Sequence, residues 1–248
     1  MVETGPQLHP ITERLSGRAS GYVRALNEYS LNYEDELLLE TIGDEVFLSY
    51  QLSPEHAIAG LKSKIKKLRD LAIPLQNISD ARIRSNWETA NKFLREYRQQ
   101  LHSWNCEAVF FGSMIFGHPD KADLDLQIIS KVNAIPNNLM LRLEKDLNHR
   151  TGGFSADFGF SFLNTWIKHL EDDASYTDSG KAMDLYLETL YMAPVLYGTP
   201  YGLLETGHMD RIRRNILTAA KTYPVAGAQL SYTLDFALDR VLTRRNIR

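Results

Sequence analysis

Two aspartates one residue apart, Asp123 and Asp125, and a glycine-serine step shortly before them, Gly112 and Ser113, are the residues of this chain whose types and spacing could do chemistry. In an extended segment side chains alternate from face to face, so both carboxylates project to one side, with Cα atoms about 6.6 Å apart at roughly 3.3 Å per residue. Leu124, Leu126 and Ile128 then point the other way, into a core. Such a carboxylate pair suits Mg²⁺, a hard cation that takes one or two carboxylates and completes its octahedron with water and phosphate oxygens. A second ion about 3.5 to 4 Å away would let the pair serve an in-line displacement at phosphorus. Gly112 and Ser113 follow the apolar run Ala108, Val109, Phe110 and Phe111. A sharp glycine turn there exposes backbone amides and a hydroxyl, the groups that polyphosphate oxygens require. Gly117 permits a second close approach. The segment could therefore hold a nucleoside triphosphate and its metal ions.

These residues need two strands and a turn to position them. Residues 107–111 read as a first strand, 112–113 as the turn, and 123–130 as a second strand. Residues 137–149 carry Leu139, Leu143 and Leu147 among charges, a helical pattern. In residues 153–162, Phe154, Ala156, Phe158, Phe160 and Phe162 alternate with Ser155, Asp157, Gly159 and Ser161. That predicts a third strand with Asp157 on a small, polar face, able to join the first two carboxylates if the strands are neighbours.

Gly112-Ser113, three intervening residues, Gly117, and then Asp123-Leu124-Asp125 resemble the signature of the DNA polymerase β-like nucleotidyltransferase superfamily, over roughly residues 105 to 165. The resemblance implies an α+β fold and transfer of a nucleoside monophosphate from an NTP to an acceptor hydroxyl, with release of pyrophosphate. It implies that Gly112 and Ser113 grip the triphosphate, and that Asp123 and Asp125 bind two Mg²⁺ ions, for which Mn²⁺ can stand in. Asp157 would be the third metal-binding and catalytic carboxylate, helping to activate the acceptor. The acceptor stays open among a small molecule, another nucleotide, an RNA end and a protein side chain. Met114 and Phe116 stand where relatives commonly have basic residues, and Ala122 where a serine is frequent. Residues 195–198, Val-Leu-Tyr-Gly, look like the short strand that closes this core. A rival reading is a non-catalytic regulator on the same fold that binds nucleotide or a partner, such as a toxin-antitoxin component.

The expected architecture is a small mixed β-sheet, residues 105–205, flanked by a mainly helical region 1–104 and a C-terminal helical region 206–248. With 44% hydrophobic and 24% charged residues the composition is that of an ordinary globular protein. Ser53-Pro54-Glu55 opens a helix reaching about Leu71, since a proline suits the first turn. A second helix runs from Ser79 or Asp80 to about Trp104. Residues 47–52 fit either a strand or a helix end. The polar residues 171–180 read as a loop, and helices are expected over 181–192, 209–222 and 230–243.

A formal net charge of −3 offers no global attraction to nucleic acid. The basic run Lys62, Lys64, Lys66, Lys67 and Arg69 could contact polyphosphate, although a solvated helix face is its ordinary role. Arg211, Arg213, Arg214 and Lys221, with Arg240, Arg244, Arg245 and Arg248, are further candidates to neutralise a triphosphate. The one cysteine, Cys106, excludes an intrachain disulfide and reads as a small core residue. The seven histidines show no zinc-ligand spacing. With no secretory leader pattern and no long apolar run, the expectation is a cytoplasmic protein without membrane contact.

Overall fold

A computed structural model describes residues 21–22, 24–26, 28–29, 49–50, 52–73, 77–117, 124–131, 137–150, 156–200 and 206–246. Helix α1 (Pro54–Leu71) begins with proline in its first turn, and the Ser53 hydroxyl makes no capping bond. Its Ile58, Leu61, Ile65 and Leu68, spaced three and four apart, form the buried stripe. Residues 49, 50 and 52 are helical, which resolves the ambiguity over 47–52 as far as the described residues go. Helix α2 (Ala81–Glu96) starts at Asp80, whose carboxylate accepts from the amides of Arg82 at 2.8 Å and Ile83 at 3.1 Å. It buries Ile83, Trp87, Ala90, Phe93 and Leu94. The single long helix expected here is broken at Tyr97, and α3 (Arg98–Ser103) leads into the sheet. Tyr97, buried at the break, donates its hydroxyl to Asp146.

The fold is mixed α+β, with helices on both sides of the sheet. Strands β1 (Cys106–Phe111), β2 (Leu124–Ser130), β3 (Ala156–Phe162) and the two-residue β4 (Thr199–Pro200) lie in the order β3-β2-β1-β4. β1 runs antiparallel to β2 and β4, whereas β2 and β3 are parallel and joined through α4 (Asn137–Arg150). A parallel pair needs such a crossover, since a tight turn cannot reverse the chain twice. β2 is central and covered on both faces: Leu126, Gln127, Ile128, Ile129 and Ser130 are all buried.

Helix α5 (Leu163–Glu171) follows, then a 3₁₀ turn (Asp173–Tyr176) and α6 (Ser179–Tyr197). The predicted loop over 171–180 is rooted in the core: Ser175 and Tyr176 are buried, and the Tyr176 hydroxyl donates to Leu170 O at 2.8 Å. Helices α7 (Thr206–Thr222) and α8 (Pro224–Asn246) complete the described chain. α8 packs on α1, α6 and α7, and α6 lies against β1, β2 and β3. Lys64 ties α1 to α8 through Ser231 Oγ at 2.7 Å and through Asp235.

A second sequence-based expectation is overturned, beside the helix broken at Tyr97. Residues 195–198 are not a strand; Val195, Leu196 and Tyr197 are the last turn of α6, and extended structure begins only at Thr199. Met192 to Gly198 are buried, and burial of this apolar turn holds the helix together in spite of Pro194 within it. Its terminal carbonyls, which no helical amide can reach, are satisfied by arginines from α1 and α7. Among the described residues no helix is long and apolar enough to cross a membrane.

Candidate functional site

β1 and β2 are registered so that Phe111 lies opposite Asp125. The chain then leaves β1 at Gly112 with φ +72°, a region that disfavours any side chain. A Cβ at Gly112 would fall 1.6 Å from Asp125 Oδ2, so the carboxylate is seated directly on the bare backbone of the turn. Gly112–Ile115 form one helical turn, and Ser113, half-buried, accepts from the Phe116 amide through its carbonyl at 3.2 Å. Gly117, with φ +73°, meets Ile73: a Cβ there would stand 2.4 Å from Ile73 Cδ1. The Ile73 amide donates to Ile115 O at 2.7 Å, so the segment leaving α1 braces the Gly112–Gly117 turn from outside.

β3 supplies the second carboxylate position. Its parallel register sets Asp157 beside Asp125, Gly159 beside Gln127 and Ser161 beside Ile129. Register neighbours share a face, on strands about 4.8 Å apart. Gly159 has a packing reason to be glycine, since a Cβ there would lie 1.9 Å from Gln127 Oε1. Gln127 Nε2 donates to Ser161 Oγ at 2.7 Å, so the small polar face predicted for this strand is a buried polar file behind the carboxylates. Asp123 lies outside the described residues, and Asp157 is described by its backbone alone. Among the described residues no group of three His, Cys, Asp or Glu is gathered for a metal ion. The pair Asp125 and Asp157, both hard oxygen donors in register, nevertheless fits the ligand chemistry of Mg²⁺.

Phe116, at a position where a basic residue was sought, is buried and stacks on Tyr197 with ring centroids 6.3 Å apart. Burial, and then the neighbouring Asp125 carboxylate, hold the Tyr197 phenol well above its ordinary pKa. Tyr197 therefore connects the Asp125 carboxylate with the end of α6.

There the structure assembles cations that sequence spacing could not join. Arg69 of α1 donates through Nε to Leu196 O at 3.0 Å and again through Nη2. Arg213 of α7 donates through Nε to Val195 O at 2.9 Å and through Nη2 to Gly198 O at 2.8 Å. The two arginines thus close the negative end of the α6 dipole. They also line two adjoining clefts, of ≈ 230 Å³ beside Tyr197 and Thr199 and of ≈ 390 Å³ between α1 and α7. The basic run of α1 divides accordingly: Lys64 is spent on α8, while Lys62, Lys66 and Arg69 face the larger cleft. Of the C-terminal cations, Arg213 and Arg214 reach that cleft, Lys221 pairs with Glu55 at 2.9 Å, and Arg240 lies over the Phe236 ring. The side chains of Arg244, Arg245 and Arg248 lie outside the described residues.

Two further groups on β1 are buried. Cys106 is a core residue as expected, its thiol pushed up to about 11 by burial. Glu107, unremarked in the sequence, is 2% exposed with an Oε1 that has no hydrogen-bond partner among the described residues. Burial raises its pKa to about 8, against the opposing pull of Arg213 and Lys131. No family model, curated protein or solved structure matches the chain.

Proposed function

We propose that this protein is a nucleotidyltransferase, moving a nucleoside monophosphate from an NTP to an acceptor hydroxyl, in the manner of the DNA polymerase β-like superfamily it resembles. The observation that carries the reading is the seating of the Asp125 carboxylate on Gly112, because it joins the phosphate-binding and metal-binding halves of the motif in one place. The register of Asp157 beside Asp125 supports it.

In this reading Asp123, Asp125 and Asp157 hold Mg²⁺, which when bound supplies positive charge to the reacting phosphate. The Gly112–Ser113 turn offers backbone amides to phosphate oxygens, and the Ser113 hydroxyl adds a hydrogen bond. Asp157 takes the proton from the acceptor hydroxyl. The acceptor oxygen bonds to the α-phosphorus, the bond between the α-phosphorus and its bridging oxygen breaks, and pyrophosphate carries away the electron pair. A cytoplasmic setting accords with this reading, because a reducing medium keeps Cys106 a thiol.

The test is incubation with each α-³²P-labelled NTP and Mg²⁺ or Mn²⁺ in a cell extract, tracing label to RNA, protein, small molecule or the protein itself. Label transfer is expected from the native chain and not from the Asp123→Asn, Asp125→Asn double variant, with the fold of the variant checked by circular dichroism. Equal transfer by the variant sinks the assignment. Nucleotide binding without pyrophosphate release on any acceptor replaces it with the non-catalytic regulator.

A further inference from the structure

The α1–α7 cleft carries charge that the proposed reaction leaves unused. Its ≈ 390 Å³ falls within the range of small-molecule sites. It is lined by Lys62, Lys66, Arg69, Arg213 and Arg214 against Asp70 and Asp210, an excess of three positive charges. Lys66 is paired with Asp70 at 2.5 Å. Among the described residues Lys62 and Arg214 form no salt bridge, and Arg69 and Arg213 hydrogen-bond to backbone carbonyls, with Asp210 attracting both and Glu107 attracting Arg213 without a salt bridge.

Arg213 is half-buried and Arg69 exposed, and the two like charges repel one another. Burial, and then the Arg69 charge, lower the Arg213 pKa to about 10. Each guanidinium carries five N–H donors, and the α6 carbonyls engage only Nε and Nη2 of each. The remaining donors, with the flexible ammonium of Lys62 and the guanidinium of Arg214, match an anion with several oxygens. Lys62 and Ala72, which lines the adjoining smaller cleft, are separated by about 15 Å of helix at 1.5 Å per residue. That length suits a chain of phosphates better than a single carboxylate.

We propose that the α1–α7 cleft is a binding site for a chain of phosphates, engaged by Lys62, Arg69, Arg213 and Arg214. The phosphates belong either to a free polyphosphate-bearing small molecule or to the end of a nucleic-acid strand. The residues that line it include none of the three carboxylates, and binding there requires no metal and no catalysis.

Calorimetry without divalent cations, at low salt, with inorganic tripolyphosphate and separately with a 5′-phosphorylated tetranucleotide tests it. At least one probe is expected to bind, with log affinity falling linearly with log salt concentration. Lys62→Ala with Arg214→Ala should weaken that binding at least tenfold and flatten the salt dependence by about 0.7 to 1 per lost cation. Neither side chain has a hydrogen bond among the described residues, so the melting temperature of the double variant should stay that of the native protein. The probe bound more tightly names the source, small molecule or strand. Failure of both probes to bind, or equal affinity in the double variant, overturns the proposal. Asp125→Asn separates the two readings, since it should abolish transfer and leave this binding unchanged.

Discussion

Gly112→Ala tests the geometry on which the site depends. The added Cβ would stand 1.6 Å from Asp125 Oδ2, and ordinary contact begins near 3.4 Å, so the carboxylate must retreat by about 1.8 Å. Two costs follow. Holding alanine at φ +72° costs roughly 1–2 kcal/mol. Overpacking against Asp125 adds about 1–3 kcal/mol if the side chain cannot rotate freely. The two are separable by a double-mutant cycle, measured by urea unfolding. In an Asp125→Ala background only the Cβ of residue 125 remains, at 3.1 Å, so most of the overlap is removed and Gly112→Ala should cost little more than the backbone part, leaving a coupling of about 1–3 kcal/mol. Transfer activity should suffer more than stability, because a misplacement of about 1 Å at a reacting centre can cost about a hundredfold. An equal stability cost in both backgrounds would refute the seating of Asp125 on Gly112. Undiminished transfer by Gly112→Ala would refute its part in catalysis.

Glu107→Gln should flatten the pH dependence of stability. Its folded pKa of about 8 exceeds the ordinary 4.5, so the folded state keeps a proton that the unfolded chain loses between those values. The stability it contributes is present below pH 4.5 and declines by up to about 1.4 kcal/mol per pH unit until pH 8. Urea midpoints at pH 5 and 8 should therefore diverge in the native chain and converge in the variant; parallel profiles would contradict the assignment. Asp80→Ala should cost about 1 kcal/mol in the same assay, by removing the α2 cap, and no loss would mean that the cap is not formed in solution. Cys106 should react with a thiol reagent at neutral pH only after unfolding, since its thiolate is suppressed by burial. Rapid labelling of the folded protein would show β1 to be open.

Most of the elements were legible in the sequence because their signals are local. Alternation in 153–162 and leucine spacing in 137–149 predicted β3 and α4 closely, and the glycine-serine step marked the end of β1. The break at Tyr97 and the helical end of α6 were not legible. At Tyr97 a continuous apolar stripe hides the break, and at 195–198 an apolar run with a proline nearby carries no period that separates helix from strand.

By itself, then, the sequence determined which residues could do chemistry and which faces carry them, because residue type and periodicity act over a few positions. Only the tertiary structure decided what those residues meet. Asp125 is seated on Gly112 by the β1–β2 register and set beside Asp157 by the parallel pairing through α4. Arg69 and Arg213 converge on the end of α6 from helices far apart in the chain. No local pattern encodes such meetings, since they follow from burying several apolar faces at once around a single core.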